Sequence, residues 1–367
     1  MRIICSRDKL QTAISYAQRT VSVRSTLALL DGILFVAKED KITLTGYDLE
    51  TGIENKLPGD IIKEGSIVIN ARMLNDIVRK LPEDIVTITT DEHHIATIES
   101  GNSKFQIKGM SSEDYPQLPE VDASDRVVIP QKLLKNMIEQ TIFAVSKDES
   151  RPAFNGILFN SNEDVLELAA VDGFRLALRT ETLENELPTA KILIPGKALN
   201  HVQSILAEQG DVAIYTTQNH IKFDMGDVIL ISRLIQQDFM NYRGILPKSY
   251  ATRIVVNTQE FYDAVDRANL ILPSEDRRFP MTLNIDNNDA MKISATTDVG
   301  NLNDQVEITE FEGDSLEIDF NPRYFIDALK VIDDEMVSIE FNGPVGPSVI
   351  KPVEGNAFSY LVLPLRR

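Results

Sequence analysis

Asp31-Gly32-Ile33-Leu34-Phe35 recurs 124 residues later as Asn155-Gly156-Ile157-Leu158-Phe159. An aspartate follows each glycine by sixteen positions: Asp48 in Thr-Gly-Tyr-Asp, and Asp172 in Ala-Val-Asp-Gly. In a third, less regular copy, Leu283-Asn284-Ile285 and Asp298 occupy comparable places. Upstream of each copy a short strand pattern leads into a helical one. Arg2-Ile3-Ile4 precedes Leu10, Arg126-Val127-Val128 precedes Leu134, and Arg253-Ile254-Val255 precedes Phe261, each arginine standing eight residues before its apolar anchor. A second helix entry follows in each copy. These are Asn70-Ala71-Arg72-Met73-Leu74, Pro195-Gly196-Lys197-Ala198-Leu199 and Asn321-Pro322-Arg323-Tyr324-Phe325. Asp114-Tyr115 before Leu118-Pro119 is matched by Asp238-Phe239 before Leu246-Pro247. Four ordered landmarks with one period imply three homologous domains, at 1–124, 125–251 and 252–367. The boundaries fall in 116–125 and 240–252, both loop-like in composition.

Each third reads as strand, helix, three strands, then the same again. Leu10, Ala13, Ile14 and Ala17 form one stripe at helical spacing, as do Leu134, Met137, Ile138 and Thr141. Ser6, Asn70 and Asn257 are expected N-caps, and Pro130 suits a helix entry. Ile42-Thr43-Leu44-Thr45, Val86-Thr87-Ile88-Thr89-Thr90 and Val212-Ala213-Ile214-Tyr215 alternate as half-buried strands do. The expected fold is therefore α+β: three tandem domains, each with two amphipathic helices packed on antiparallel sheets of roughly eight strands. Six such half-units predict a curved, pseudo-symmetric assembly, sheets on one side and helices on the other.

The 367 residues carry a net charge of −19, which by itself argues against nucleic acid. The distribution answers that objection in part. The six helical segments, 6–22, 70–82, 130–146, 195–210, 257–272 and 321–333, hold twelve Lys and Arg against nine Asp and Glu. They net +3 and leave −22 in the sheets and loops, the polarity of a ring with a phosphate backbone inside and solvent outside. Solvation of helix faces explains the same count equally well. Cys5 is the single cysteine, read as a small apolar residue in the first strand rather than a nucleophile. It cannot form an internal disulfide, and no apolar run reaches the roughly 20 residues of a membrane span, so a cytoplasmic location is expected.

Enzymatic signatures are missing. There is no GxxxxGK[ST] phosphate loop, and His93, His94, His201 and His220 lack zinc-ligand spacing, so no metal or cofactor is expected. Asp48, Asp172 and Asp298 recur once per domain, unlike catalytic carboxylates, and are read as turn residues with local hydrogen bonds. Two alternatives remain: a repeat-built interaction scaffold with no nucleic acid, and, less favoured, a glycosidase using paired acids.

Three motifs resemble those of the bacterial DNA sliding clamps, over essentially the whole length. Arg24-Ser25-Thr26-Leu27-Ala28-Leu29-Leu30 resembles R-x-T-L-P-I-L, and Ala170-Val171-Asp172-Gly173-Phe174-Arg175-Leu176-Ala177 resembles A-T-D-G-[HY]-R-L-A. The ending Tyr360-Leu361-Val362-Leu363-Pro364-Leu365-Arg366 resembles Y-x-x-[ML]-P-[MVL]-R. The resemblance implies a non-catalytic processivity subunit of the replicative polymerase. Such a protein encircles duplex DNA without sequence preference, as a head-to-tail homodimer whose six domains close into a ring. Lys104, Phe105 and Ile107 of the first domain would meet Leu270 and Ile271 of the third. Arg24, Arg72, Arg79, Lys80 and Lys197 would face DNA.

The resemblance also implies a pocket between the second and third domains for a short peptide with a glutamine and apolar residues. Replicative polymerase, clamp loader and repair polymerases would carry such a motif. The matching positions are Arg151, Phe154, Val171, Gly173, Phe174, Arg175 and Leu176 in the second domain, with Met240 and Ile245 after it. Asn321, Tyr324 and Val345 follow in the third, and Leu361, Val362, Leu363, Pro364 and Leu365 close the chain. Val171 stands where Thr is usual, Phe174 where His or Tyr is, Met240 where Pro is common, and Ala28 where Pro is expected.

Overall fold

A computed structural model describes residues 1–21, 27–121, 126–272, 280–286 and 289–365. Arg24 therefore lies outside the described residues. The first third runs β1 (Arg2–Ser6), α1 (Arg7–Ala17), β2 (Gly32–Lys38), β3 (Lys41–Tyr47), β4 (Thr51–Leu57), β5 (Gly59–Lys63), β6 (Gly65–Asn70), α2 (Ala71–Val78), β7 (Ile85–Thr90), β8 (Ile95–Ser100) and β9 (Ser103–Lys108). The second runs β10 (Arg126–Pro130), α3 (Gln131–Ile142), β11 (Gly156–Val171), β12 (Arg175–Pro195), α4 (Gly196–Ile205), β13 (Asp211–Thr216), β14 (His220–Asp224) and β15 (Val228–Arg233). The third runs β16 (Thr252–Asn257), α5 (Thr258–Ile271), β17 (Met281–Ile285), β18 (Ala290–Thr297), β19 (Gly300–Gly313), β20 (Leu316–Phe320), α6 (Pro322–Leu329), β21 (Met336–Phe341), β22 (Ser348–Pro352) and β23 (Phe358–Val362). The strand–helix opening recurs three times, as the spacing predicts.

The described residues form two compact units, 1–134 with 201–234, and 135–200 with 235–367. In the first, β5-β1-β7-β8-β9 make one sheet and β10-β13-β14-β15-β4-β3-β2-β6 another. The eight-stranded sheet continues from the first third into the second where β15 pairs antiparallel with β4, Leu230 opposite Ile53. Both sheets bury their inner faces beneath α1 and α2, around Ile3, Leu10, Ile14, Phe35, Leu74 and Ile88. Leu10, Ala13, Ile14 and Ala17 are buried as the stripe requires, and each such large side chain contributes roughly 1.5–3 kcal/mol. Gly46 lets α1 and β3 approach closely: a Cβ there would stand 1.9 Å from the carbonyl oxygen of Ala17.

In the second unit one ten-stranded sheet runs β11-β12-β23-β22-β21-β16-β19-β18-β17-β20. It passes from the second third to the third through β12 and β23, with Arg175 opposite Val362 and Leu176 opposite Leu361. Here α5 and α6 meet edge to face through Phe261 and Phe325 at 5.6 Å, and Phe325 also meets Phe320 of β20 at 4.9 Å.

Several local expectations need correction. Asn70 and Asn257 accept from the backbone N–H groups of Met73 and Glu260, but the Ser6 hydroxyl makes no cap bond and donates to Asp84 instead. The second third has six strands where roughly eight are expected, because β11 and β12 run 16 and 21 residues and absorb what the first third divides among shorter ones. Each helix stops short of its apolar pattern, α2 ending at Val78 and α6 at Leu329. Asp48 and Asp172 do hold turns, each through two backbone N–H groups. Beside Asp298 it is the Thr297 hydroxyl that accepts a backbone N–H, from Val299. Cys5 is buried in β1, and burial, with Asp84 nearby, pushes its thiol up to about 12.

Candidate functional site

The β11–β12 hairpin closes in a tight turn at 172–174. Gly173 adopts φ 96°, a left-handed conformation that glycine takes without steric cost. Asp172 Oδ1 accepts from the N–H groups of Phe174 and Arg175 at 2.9 and 3.1 Å, which fixes the turn. The last strand, β23, lies alongside β12, and beyond it the Leu363 N–H donates to the Phe174 carbonyl at 2.9 Å. The C-terminal residues are thus tied to the hairpin tip.

Beside this tip lies an apolar cluster of Leu158, Val171, Leu176, Phe239, Tyr242 and Leu361, with Phe154 and Met240 packed on it half-buried. Arg151 closes one side, its guanidinium carbon 5.3 Å from the Phe154 ring centroid and its Nε 3.0 Å from Asp148. Hydrogen bonds, from Ser150 first and then Arg151, hold the Asp148 carboxyl below the usual carboxylate range. On the other side Phe174 stacks on Tyr324 of α6, centroids 6.1 Å apart and planes 11° apart. Asn321 caps α6 by accepting from the Arg323 N–H. Val345, Pro364 and Leu365 line a further groove of about 370 Å³ with Ile318 and Asp319. Leu363, Ile245 and Val345 expose 39%, 39% and 77% of their surface, so apolar groups remain open to solvent around the cluster. Aliphatic surface with a few oriented polar groups is the chemistry of a peptide site.

Most of the sequence-derived pocket residues therefore converge. Ile245, exposed to solvent, is tied to them through its backbone N–H, which donates to the Tyr242 carbonyl. The sequence reading missed a buried carboxylate behind the cluster. Glu167 Oε2 accepts from Asn160 at 2.9 Å, the Tyr242 hydroxyl at 2.7 Å and Arg243 at 2.6 Å. Burial, then the bond to Glu167, pushes the Tyr242 hydroxyl up to about 12. Glu167 thereby latches the segment that carries Met240 and Ile245. A lone glutamate in an apolar run is visible in the sequence, but its partners 75 and 76 residues away are not.

In the first unit β9 pairs only with β8, so its other edge is open among the described residues. Phe105 on β9 is 37% exposed, whereas Ile107 packs partly on the core and Lys104 pairs with Glu99. Phe105, Met73 and Ile77 share a groove of about 440 Å³ with Arg72, Asp76 and Lys80. Two of the expected DNA-facing cations thus stand beside an expected dimer residue. Arg79 and Lys197 are exposed on or at the end of α2 and α4. In the second unit Leu270, near the end of α5, is 79% exposed, and Ile271 is half-buried. His93 and His94 sit in a turn rather than a strand, where Asp91 accepts from the backbone N–H groups of His93 and Ile95. No helix among the described residues is long and apolar enough to cross a membrane.

Residues 1–119, 128–241 and 243–366 match the family models of the N-terminal, central and C-terminal domains of the DNA polymerase III beta subunit. The chain is 35% identical to the beta sliding clamp of Staphylococcus epidermidis, over 100% of its own length and 99% of the relative's. Its fold superposes with a TM-score of 0.94 on the sliding clamp of Bacillus subtilis, 32% identical, covering 100% of this chain and 99% of that one. The clamp of Pseudomonas aeruginosa bound to griselimycin is 27% identical, with the same TM-score and full coverage of both chains. Three family domains in order, spanning the chain, make it a member of the DNA polymerase III beta subunit, or beta sliding clamp, family.

Proposed function

We propose that this chain is a processivity clamp. Two copies close head to tail around duplex DNA, and the apolar pocket beside the β11–β12 turn tethers the replicative polymerase, the clamp loader and repair polymerases. The observation that carries this reading is the full-length match to all three beta-subunit domains. It favours a clamp over an interaction scaffold without DNA. The role is non-catalytic and the location cytoplasmic, at the replisome, with domain boundaries near 124 and 251.

Closure uses the open edge of β9, with Phe105 and Ile107, against Leu270 and Ile271 of a second copy. A heterologous contact of that kind joins first domain to third twice and then closes. Arg72, Arg79, Lys80 and Lys197 offer charge to the phosphates, contacts that weaken steeply with salt. The exposed aliphatic groups at Ile245, Val345 and Leu363 support the peptide site, as does the ligand-bound Pseudomonas relative.

The test is topological. Loaded onto nicked circular DNA, the chain stays bound through gel filtration in moderate salt and falls off once the circle is cut. Equal loss from circular and linear DNA would overturn the encircling reading.

A further inference from the structure

Arg175, the first residue of β12, joins the two sides of the pocket, and its side chain is only 11% exposed. Its Nε donates to Asp172 Oδ2 at 2.9 Å and its Nη1 to Asp327 Oδ2 at 2.7 Å. The guanidinium carbon lies 5.4 Å from the Phe143 ring centroid and 4.9 Å from that of Tyr324. Tyr324 in turn stacks on Phe174. A guanidinium offers hydrogen bonds only in its plane and cation–π attraction only above and below it. Two in-plane carboxylates therefore fix its orientation, and that orientation sets where a ring can rest on it.

Asp327 follows Tyr324 by three positions on α6, the spacing that puts two side chains on one helix face. The helix thus offers one guanidinium both a ring and a carboxylate. Asp327 also accepts from Lys330 at 3.0 Å, an ion pair on its more exposed side. Phe143 and Asp172 come from the second third of the chain, Tyr324 and Asp327 from the last.

We propose that Asp327 is a positioning residue for the peptide pocket. By orienting Arg175 it fixes the Tyr324–Phe174 wall against which the peptide packs. This rests on the pocket assignment above.

The test titrates the full-length chain into a fluorescein-labelled synthetic peptide carrying one glutamine followed by leucines, read by anisotropy. Asp327→Asn weakens binding about three- to tenfold, the range expected when one charge-assisted hydrogen bond behind a site is lost. Lys330→Gln, which removes only the outer partner, binds as the parent does. Asp327→Glu keeps the charge and recovers part of the affinity, and it remains the readout if the asparagine variant does not fold. In an Arg175→Ala background Asp327→Asn adds no further loss, because the effect travels through the missing arginine. A wild-type chain that does not bind the peptide overturns the pocket assignment and this proposal with it. If the wild type binds, this proposal alone falls on either of two results: Asp327→Asn melts earlier yet binds normally, or its loss adds fully to that of Arg175→Ala.

Discussion

Gly46 and Asp327 are held by opposite physics, one by lack of space and the other by charge. With the Ala17 carbonyl 1.9 Å from any Cβ at position 46, Gly46→Ala forces β3 and α1 apart. The expected cost is about 2–3 kcal/mol in urea unfolding, at the upper end of core overpacking. Burial alone would raise the Asp327 carboxyl, but hydrogen bonds from Arg175 and Lys330 outweigh it and hold the group below its ordinary 3.8. A depressed folded-state pKa means the stabilisation is complete above the unfolded value and disappears as pH falls through the folded one. The stability lost in Asp327→Asn is therefore full at pH 7 and shrinks below about pH 4, as parallel denaturation curves will read. The stripe Leu10, Ala13, Ile14 and Ala17 is legible in the sequence because its period is local. The Arg175–Asp327 pair is not, since 152 residues separate a strand residue from a helix residue that meet only in the folded chain.

Helices and short strands are legible wherever one face is apolar and the other polar, as in α1, β7 and β13. The long β11–β12 hairpin is not, because its exposed middle carries no apolar alternation to mark it as strand. The pairing itself is irregular there, with register shifts between Ser161 and Val165 that leave no strict period to read. The edge strand β9 shows what a local pattern can and cannot say. Alternation marks the strand, but only the sheet order reveals that its far side is unpaired. Phe105→Glu puts a charge on that edge and into the groove with Met73 and Ile77. The expected outcome is a shift from dimer to monomer at micromolar concentration in sedimentation equilibrium. Leu270→Asp on α5 has the same result, and an unchanged dimer in both would remove these positions from the contact.

Across the whole chain, the three-fold repeat is legible in the residues alone, whereas the peptide site rests on motifs resembling a family. The reason is physical: repeats leave a period, but a proposed pocket whose residues range from 151 to 365 leaves none. Residues 240–251, around the junction of the central and C-terminal family matches, hold a single short turn, and Lys248 there is exposed, as are Ser249 and Tyr250. The ladder between β12 and β23, flanked by buried Leu176 and Leu361, carries the union instead. Trypsin cutting after Lys248 should give two bands on a denaturing gel and one undivided peak in gel filtration. The peptide link between these domains would then be dispensable once folding is complete, and a nicked chain would remain one molecule in every respect but its covalent one.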